Sequence, residues 1–107
     1  EQKKHFMDNL NNLKESGKKL MFYGAPAKAT TLLNYYGINS DLVKFTIEDN
    51  PLKVGKYIPN TGIEIIDKEK AIELNPDIII VLAWNFYEVI KNQNSDIFSN
   101  TEFLKLS

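Results

Sequence analysis

Apolar positions recur along the chain with two distinct periods. Over residues 3–16, Phe6, Met7, Leu10 and Leu13 repeat at helical spacing with Lys, Asp, Asn and Glu between them. This predicts an amphipathic helix that stops at Ser16-Gly17. Leu20 to Tyr23 is a short apolar and aromatic run ending at Gly24, a strand followed by a tight turn. Pro26 stands where a helix would begin: its ring fixes φ near the helical value, and the N–H it lacks has no partner in a first turn. Ala27, Ala29, Leu32, Leu33 and Tyr36 follow at helical spacing, with Gly37 as the C-terminal stop. Leu42-Val43-Lys44-Phe45-Thr46-Ile47 is β-branched and aromatic, a second strand closed by the turn signal Glu48-Asp49-Asn50-Pro51.

Residues 49–62 follow neither period and contain Pro51, Gly55, Pro59 and Gly62. A long irregular loop of this kind in a compact domain usually has a function. Ile63–Ile66 is a short third strand, and Asp67 caps a helix that runs to Leu74 and breaks at Asn75-Pro76. Ile78–Leu82 is continuously apolar and mostly β-branched, as in a strand covered on both faces. Ala83–Gln93 is a further helix with Phe86, Val89 and Ile90 inward, and Glu102–Leu106 a last strand. This order predicts an α/β, Rossmann-like three-layer sandwich with a mostly parallel sheet of about five strands. Right-handed crossovers give the strand order 3-2-1-4-5.

Composition narrows the function. A length of 107 residues suits a single domain with one sizeable core. A formal charge of −1 argues against general binding of nucleic acid, which wants a basic excess. The lack of cysteine removes disulfides, thiolate metal sites and a thiol nucleophile, and fits a reducing, cytoplasmic compartment. The longest apolar run, Ile78–Trp84, is too short to span a bilayer, so no membrane partner is expected. Glu1 in place of Met leads to the expectation that residues 1–107 are a fragment or a processed product.

In an open parallel sheet, ligands bind at the carboxyl ends of the strands, where the strand order reverses. Three segments should converge there: Gly24–Thr31, Asp49–Thr61 and Ala83–Tyr87. The first has Gly24, Pro26 and Ala29 where a dinucleotide fingerprint has glycines or a final alanine; Pro26 removes an N–H and adds a ring where a pyrophosphate must approach. A Walker loop fails too, since Ala27 and not glycine stands directly before Lys28 and the loop is too short. What survives is a helix N-terminus with Lys28, Thr30 and Thr31 nearby, suited to one phosphate or a diphosphate. A plain turn followed by a solvated lysine accounts for the local pattern equally well.

The second segment offers Asn50, Lys53, Lys56 and Tyr57, two lysines able to share a diphosphate with Lys28 or simply to solvate a loop. Asp49 stands about where dinucleotide folds place a ribose-binding acid, and an Asx-turn into Asn50-Pro51 is its competing role. In the third segment Trp84 suits either stacking on a base or sugar or a place in the core. Asn85 suits a helix cap better than a ligand amide. His5, the single histidine, falls on the polar side of the first helix and reads as solvated. No nucleophile, base dyad or metal cage is apparent.

Taken together, Tyr23-Gly24-Ala25-Pro26-Ala27-Lys28-Ala29-Thr30-Thr31-Leu32-Leu33-Asn34, Asp49-Asn50-Pro51-Leu52-Lys53-Val54-Gly55-Lys56-Tyr57-Ile58-Pro59 and Leu82-Ala83-Trp84-Asn85-Phe86 resemble the C-terminal domain of C-methyltransferases that act on nucleotide-linked deoxysugars. The resemblance covers nearly the whole chain, and its motifs coincide with the three loops. It implies a Rossmann-like module on the substrate side of a larger enzyme. A zinc-binding region and an S-adenosylmethionine-binding domain would precede it and carry catalysis, with no cofactor in this segment. By the same resemblance, contacts to a nucleoside-diphosphate sugar fall to Gly24, Ala25, Pro26, Ala27 and Lys28, to Asn50, Lys53, Gly55, Lys56 and Tyr57, and to Trp84 and Asn85. A competing expectation is a docking module without its own ligand, packing Phe22, Tyr35, Tyr36, Trp84 and Phe86 on a neighbouring domain. An independent dinucleotide-dependent enzyme would need a catalytic group that the chain lacks.

Overall fold

A computed structural model describes residues 2–24 and 27–105; of Gln2, Lys3, Ala27, Lys28 and Trp84 it describes the backbone alone. The elements are α1 (Gln2–Glu15), β1 (Leu20–Tyr23), α2 (Ala27–Tyr36), β2 (Phe45–Ile47), β3 (Glu64–Ile66), α3 (Lys68–Leu74), β4 (Ile78–Val81), a short 3-10 turn (Trp84–Phe86), α4 (Tyr87–Asn94) and β5 (Glu102–Lys105). Their ends follow local chemistry. Gly37, at φ 74°, lets its own N–H reach the Asn34 carbonyl and the Ile38 N–H reach Leu33, which closes α2. Asp67 Oδ1 accepts from the Lys70 N–H at 2.9 Å and opens α3, and left-handed Asn75 ends it.

The five strands pair in parallel in the order β3-β2-β1-β4-β5, as expected. Side chains alternate between the two faces of the sheet. Phe22, Ile78 and Ile80 join Leu10 of α1 and Leu33 of α2 in one core layer. Met21, Tyr23, Ile79 and Val81 join Ala71 of α3, with Ile90 of α4 packed against them, in the other. All four residues of β4 are buried, which explains its unbroken apolar run.

Several details depart from expectation. The second strand is short, because the Leu42 and Val43 N–H groups both turn back to the Asn39 carbonyl at 3.1 and 3.2 Å. Val43 is nevertheless buried, so the apolar run there recorded burial rather than extension. The loop after β2 is partly regular: Gly55 donates to Ile65, Ile65 to Lys56 and Ile58 to Ile63, and Tyr57 bridges antiparallel to Glu64. Its second half thus doubles back along the outer edge of β3 and covers it.

The helix after β4 is out of phase with the expectation. Phe86 N–H donates to Ala83 at 2.8 Å, and the resulting 3-10 turn delays α4 to Tyr87. Phe86 and Val89 are therefore exposed, at 59% and 52%, while Tyr87 and Ile90 pack inward and Asn94 is buried. The N-cap is Phe86 and makes no side-chain bond, so Asn85 does not cap α4. Phe22 is fully buried and offers nothing to a partner domain. The last strand ends at Lys105, with Leu106 outside the described residues.

Candidate functional site at the carboxyl rim

Gly24 ends β1 at φ 97°, in the left-handed region that a side chain would disfavour. Its N–H donates to the Ile47 carbonyl at 2.7 Å, and its own carbonyl accepts from Thr46 Oγ1 at 2.6 Å. The turn is thus clamped to β2 from both sides by a fully buried threonine, a role no motif announced. Ala25 and Pro26 lie outside the described residues; α2 starts at Ala27 and holds Lys28 in its first turn.

The strand order reverses between β1 and β4, since β1 crosses over to β2 on one side and β4 to β5 on the other. Tyr23 pairs with Val81, and the Leu82 N–H donates to the Tyr23 carbonyl at 2.9 Å. The Gly24 turn and the Ala83–Phe86 segment therefore leave the sheet side by side. These are two of the three segments singled out above, and they flank the reversal where doubly wound sheets place ligands. Asn85 is exposed there, and the backbone of Trp84 opens the 3-10 turn.

The second segment, Asp49–Thr61, joins this rim only at its start. Asp49 accepts the Tyr23 hydroxyl on both carboxylate oxygens, at 2.9 and 2.8 Å, and Lys68 Nζ stands 3.4 Å away. The same ammonium lies 5.8 Å from the centre of the Tyr23 ring. Burial first, and then the Asp49 carboxylate, push the Tyr23 phenol far above its ordinary value; the Asn94 amide offsets part of that rise. Tyr23 therefore stays a protonated donor, and Asp49 ties together β1, the end of β2 and the start of α3. The Asx-turn belongs instead to Asn50, whose Oδ1 accepts from the Leu52 N–H at 3.1 Å. Farther on, Gly55, Lys56 and Tyr57 descend the outer edge of β3, with β2 between them and β1.

A cavity of about 570 Å³ between α1 and the β4–β5 pair was not anticipated. Phe6 and Leu104 form part of its apolar wall, and His5, Asn9, Tyr87 and Lys105 supply polar groups. Lys105 ends β5 and Tyr87 begins α4, so the cavity lies toward the carboxyl rim. Tyr87 is held by donating to the Phe103 carbonyl at 2.8 Å. The available sequence signal was the spacing of His5 and Asn9, one turn apart beside Phe6; their side chains meet at 3.4 Å. Among the described residues no three His, Cys, Asp or Glu side chains gather to hold a metal ion, and no helix is long and apolar enough to cross a membrane.

The architecture is that of a known class of Rossmann-like modules. The crystal structure of RSP, a Rex-family repressor, superposes with a TM-score of 0.52 over 96% of this chain and 60% of its own, at 15% sequence identity, a likeness of fold alone. Sequence comparison goes further. The profile of the C-methyltransferase C-terminal domain matches residues 1–104. The C-methyltransferase NovU of Streptomyces niveus is 34% identical over 89 residues, which is 82% of this chain and 21% of NovU. The chain belongs to the C-methyltransferase C-terminal domain family, and it spans about a fifth of the length of NovU.

Proposed function

We propose that this domain holds a nucleoside-diphosphate sugar for an S-adenosylmethionine-dependent C-methyltransferase. Methyl transfer itself falls to upstream domains carrying the methyl donor and zinc. One observation supports this most: the Gly24 turn with the start of α2 and the Ala83–Asn85 segment emerge side by side at the reversal of strand order. Free N–H groups at the start of α2 and the Lys28 charge suit a diphosphate. Asn50 and Lys53, from the loop after β2, would add to that charge and polarity, and Trp84 and Asn85 would border the base or sugar. Gly55, Lys56 and Tyr57 take part only where a ligand extends across β2 to the β3 edge. Affinity is weak in the isolated domain, because half of a shared site buries only part of its ligand.

The test is a titration of the ¹⁵N-labelled chain with thymidine diphosphate. Saturable shifts at Gly24, Ala27, Lys28 and Ala83–Asn85 are expected, and Lys28→Glu should remove them. No shifts at millimolar ligand, or shifts scattered over the molecule, would end the proposal. A second reading, docking on a neighbouring domain, is favoured by the exposure of Phe86 and Val89, three residues apart at the start of α4. Under that reading Phe86→Ser with Val89→Ser disrupts the full-length enzyme, while Lys28→Glu leaves its substrate affinity unchanged.

A further inference from the structure

At the opposite end of the sheet a second cavity, of about 310 Å³, opens between the amino ends of β1 and β2 and the C-terminus of α3. Its volume equals that of about ten water molecules at roughly 30 Å³ each. Leu20, Leu42, Phe45 and Leu74 make its wall apolar. Lys14, Lys18, Lys19 and Lys44 line it with one acid, Asp41, and the Asp77 carboxylate lies behind Lys19. The chain as a whole has a net charge of −1, so this cluster is a segregated basic region.

Lys19 is engaged by the fold: its ammonium donates to the Leu74 carbonyl at 3.3 Å, and its N–H donates to Asp77 at 2.8 Å. Among the described residues Lys14, Lys18 and Lys44 form no ion pair. Lys14 and Lys18 complement the C-terminal dipole of α1, but Lys44 lies just before β2, at no helix end, and still faces the same cavity. Three exposed ammonium groups around an apolar hollow fit an occupant with an apolar body and a negative head. The lysine stems extend the apolar wall while their heads pair with the anion.

We infer that this amino-end cavity binds a small organic anion with an apolar body, of the medium-chain or aryl carboxylate class. Octanoate is the probe. Added to the ¹⁵N-labelled chain, it shifts the amides of Leu20, Leu42, Phe45 and Leu74 saturably, and octylammonium does not. Replacing Lys18→Glu together with Lys44→Glu weakens octanoate by about tenfold or more, since two charge-assisted contacts become repulsive. These lysines are exposed, so an unchanged thermal melt confirms that the fold is kept. Equal shifts from octanoate and octylammonium, or octanoate affinity unaltered by the double charge reversal, would overturn the inference. So would an acidic, phenylalanine-bearing peptide that shifts these amides when octanoate does not. None of these residues belongs to the carboxyl rim, so failure of thymidine diphosphate to bind there leaves this result untouched.

Discussion

At the amino end of the sheet the chain enters β1 and β4 through short turns held by main-chain bonds and by side chains: the Lys19 N–H donates to the Asp77 carboxylate, and Thr101 Oγ1 to the Pro76 carbonyl. The Asp77 and Ile78 N–H groups both donate to the Lys19 carbonyl, and the Glu102 N–H donates to the Asp77 carbonyl. At the carboxyl end main-chain bonds also run on past the strands, Gly24 to Ile47, Glu48 to Ile66 and Leu82 to Tyr23, and side chains fasten the loops beyond: Thr46 on Gly24, and Tyr23 and Lys68 on Asp49. A parallel sheet sends every strand-to-helix connection to one end, so that end is where loops vary and ligands bind. Main-chain bonds tolerate most substitutions, whereas a side-chain clamp is lost with one residue. Thr46, Tyr23 and Asp49 should therefore be the points at which a single substitution loosens the carboxyl rim.

The largest effect should come from the strand both ends share. Phe22 is fully buried in the middle of the sheet, so Phe22→Ala should lower stability by about 3–5 kcal/mol and loosen both rims. Urea unfolding measures it, and a loss below one kilocalorie would deny that Phe22 anchors the core. Next comes the clamp on the glycine turn. Thr46→Val keeps the shape but leaves the Gly24 carbonyl without its hydroxyl donor, and should remove about 1–3 kcal/mol. Because it also frees the turn, it should weaken thymidine diphosphate, while octanoate binding at the amino end stays as it was. Equal loss at both ends would erase the distinction between them.

Tyr23→Phe removes the donor to Asp49 at the surface of the rim, and about 1–2 kcal/mol is expected. It also has a signature in pH. The phenol of folded Tyr23 is raised above its ordinary 10.0, so its contribution is complete below that pH. As pH rises further the unfolded chain releases the proton that the folded chain keeps, and stability falls. Alkaline denaturation of the wild-type chain should therefore be steeper than that of Tyr23→Phe; identical curves would remove Tyr23 from the account. Smallest of all, the Lys18→Glu and Lys44→Glu pair should change stability by less than about 0.5 kcal/mol, since neither lysine is ion-paired among the described residues.

Much of the fold was legible in local pattern. The glycine stop at Gly37, the Asp67 cap and the four-residue buried run of β4 each follow from chemistry within a few residues. The phase of α4 was not legible, because the 3-10 turn at Trp84–Phe86 shifted which side chains face inward. Phe86 and Val89 look like core residues by hydrophobicity, and Asn94 does not, yet the packing reverses them. Of the candidate site, the Gly24 turn and the segment after β4 were readable as loops. That Tyr23 and Asp49 meet was not, although the position of Asp49 at the end of the second strand marks it as a candidate.

Periodicity, breakers and caps dictated the elements, because those signals act over one or two turns of chain, and the handedness of crossovers then gave the order of strands. Only packing could decide that Thr46 holds Gly24 across 22 residues and that Tyr23 grips Asp49 across 26. Such bonds depend on the lateral pairing of strands, and a side chain's partner in the next strand leaves no trace in its own neighbourhood. The same reason hid the basic hollow at the amino end: its lysines lie on separate segments that only the closed sheet brings together.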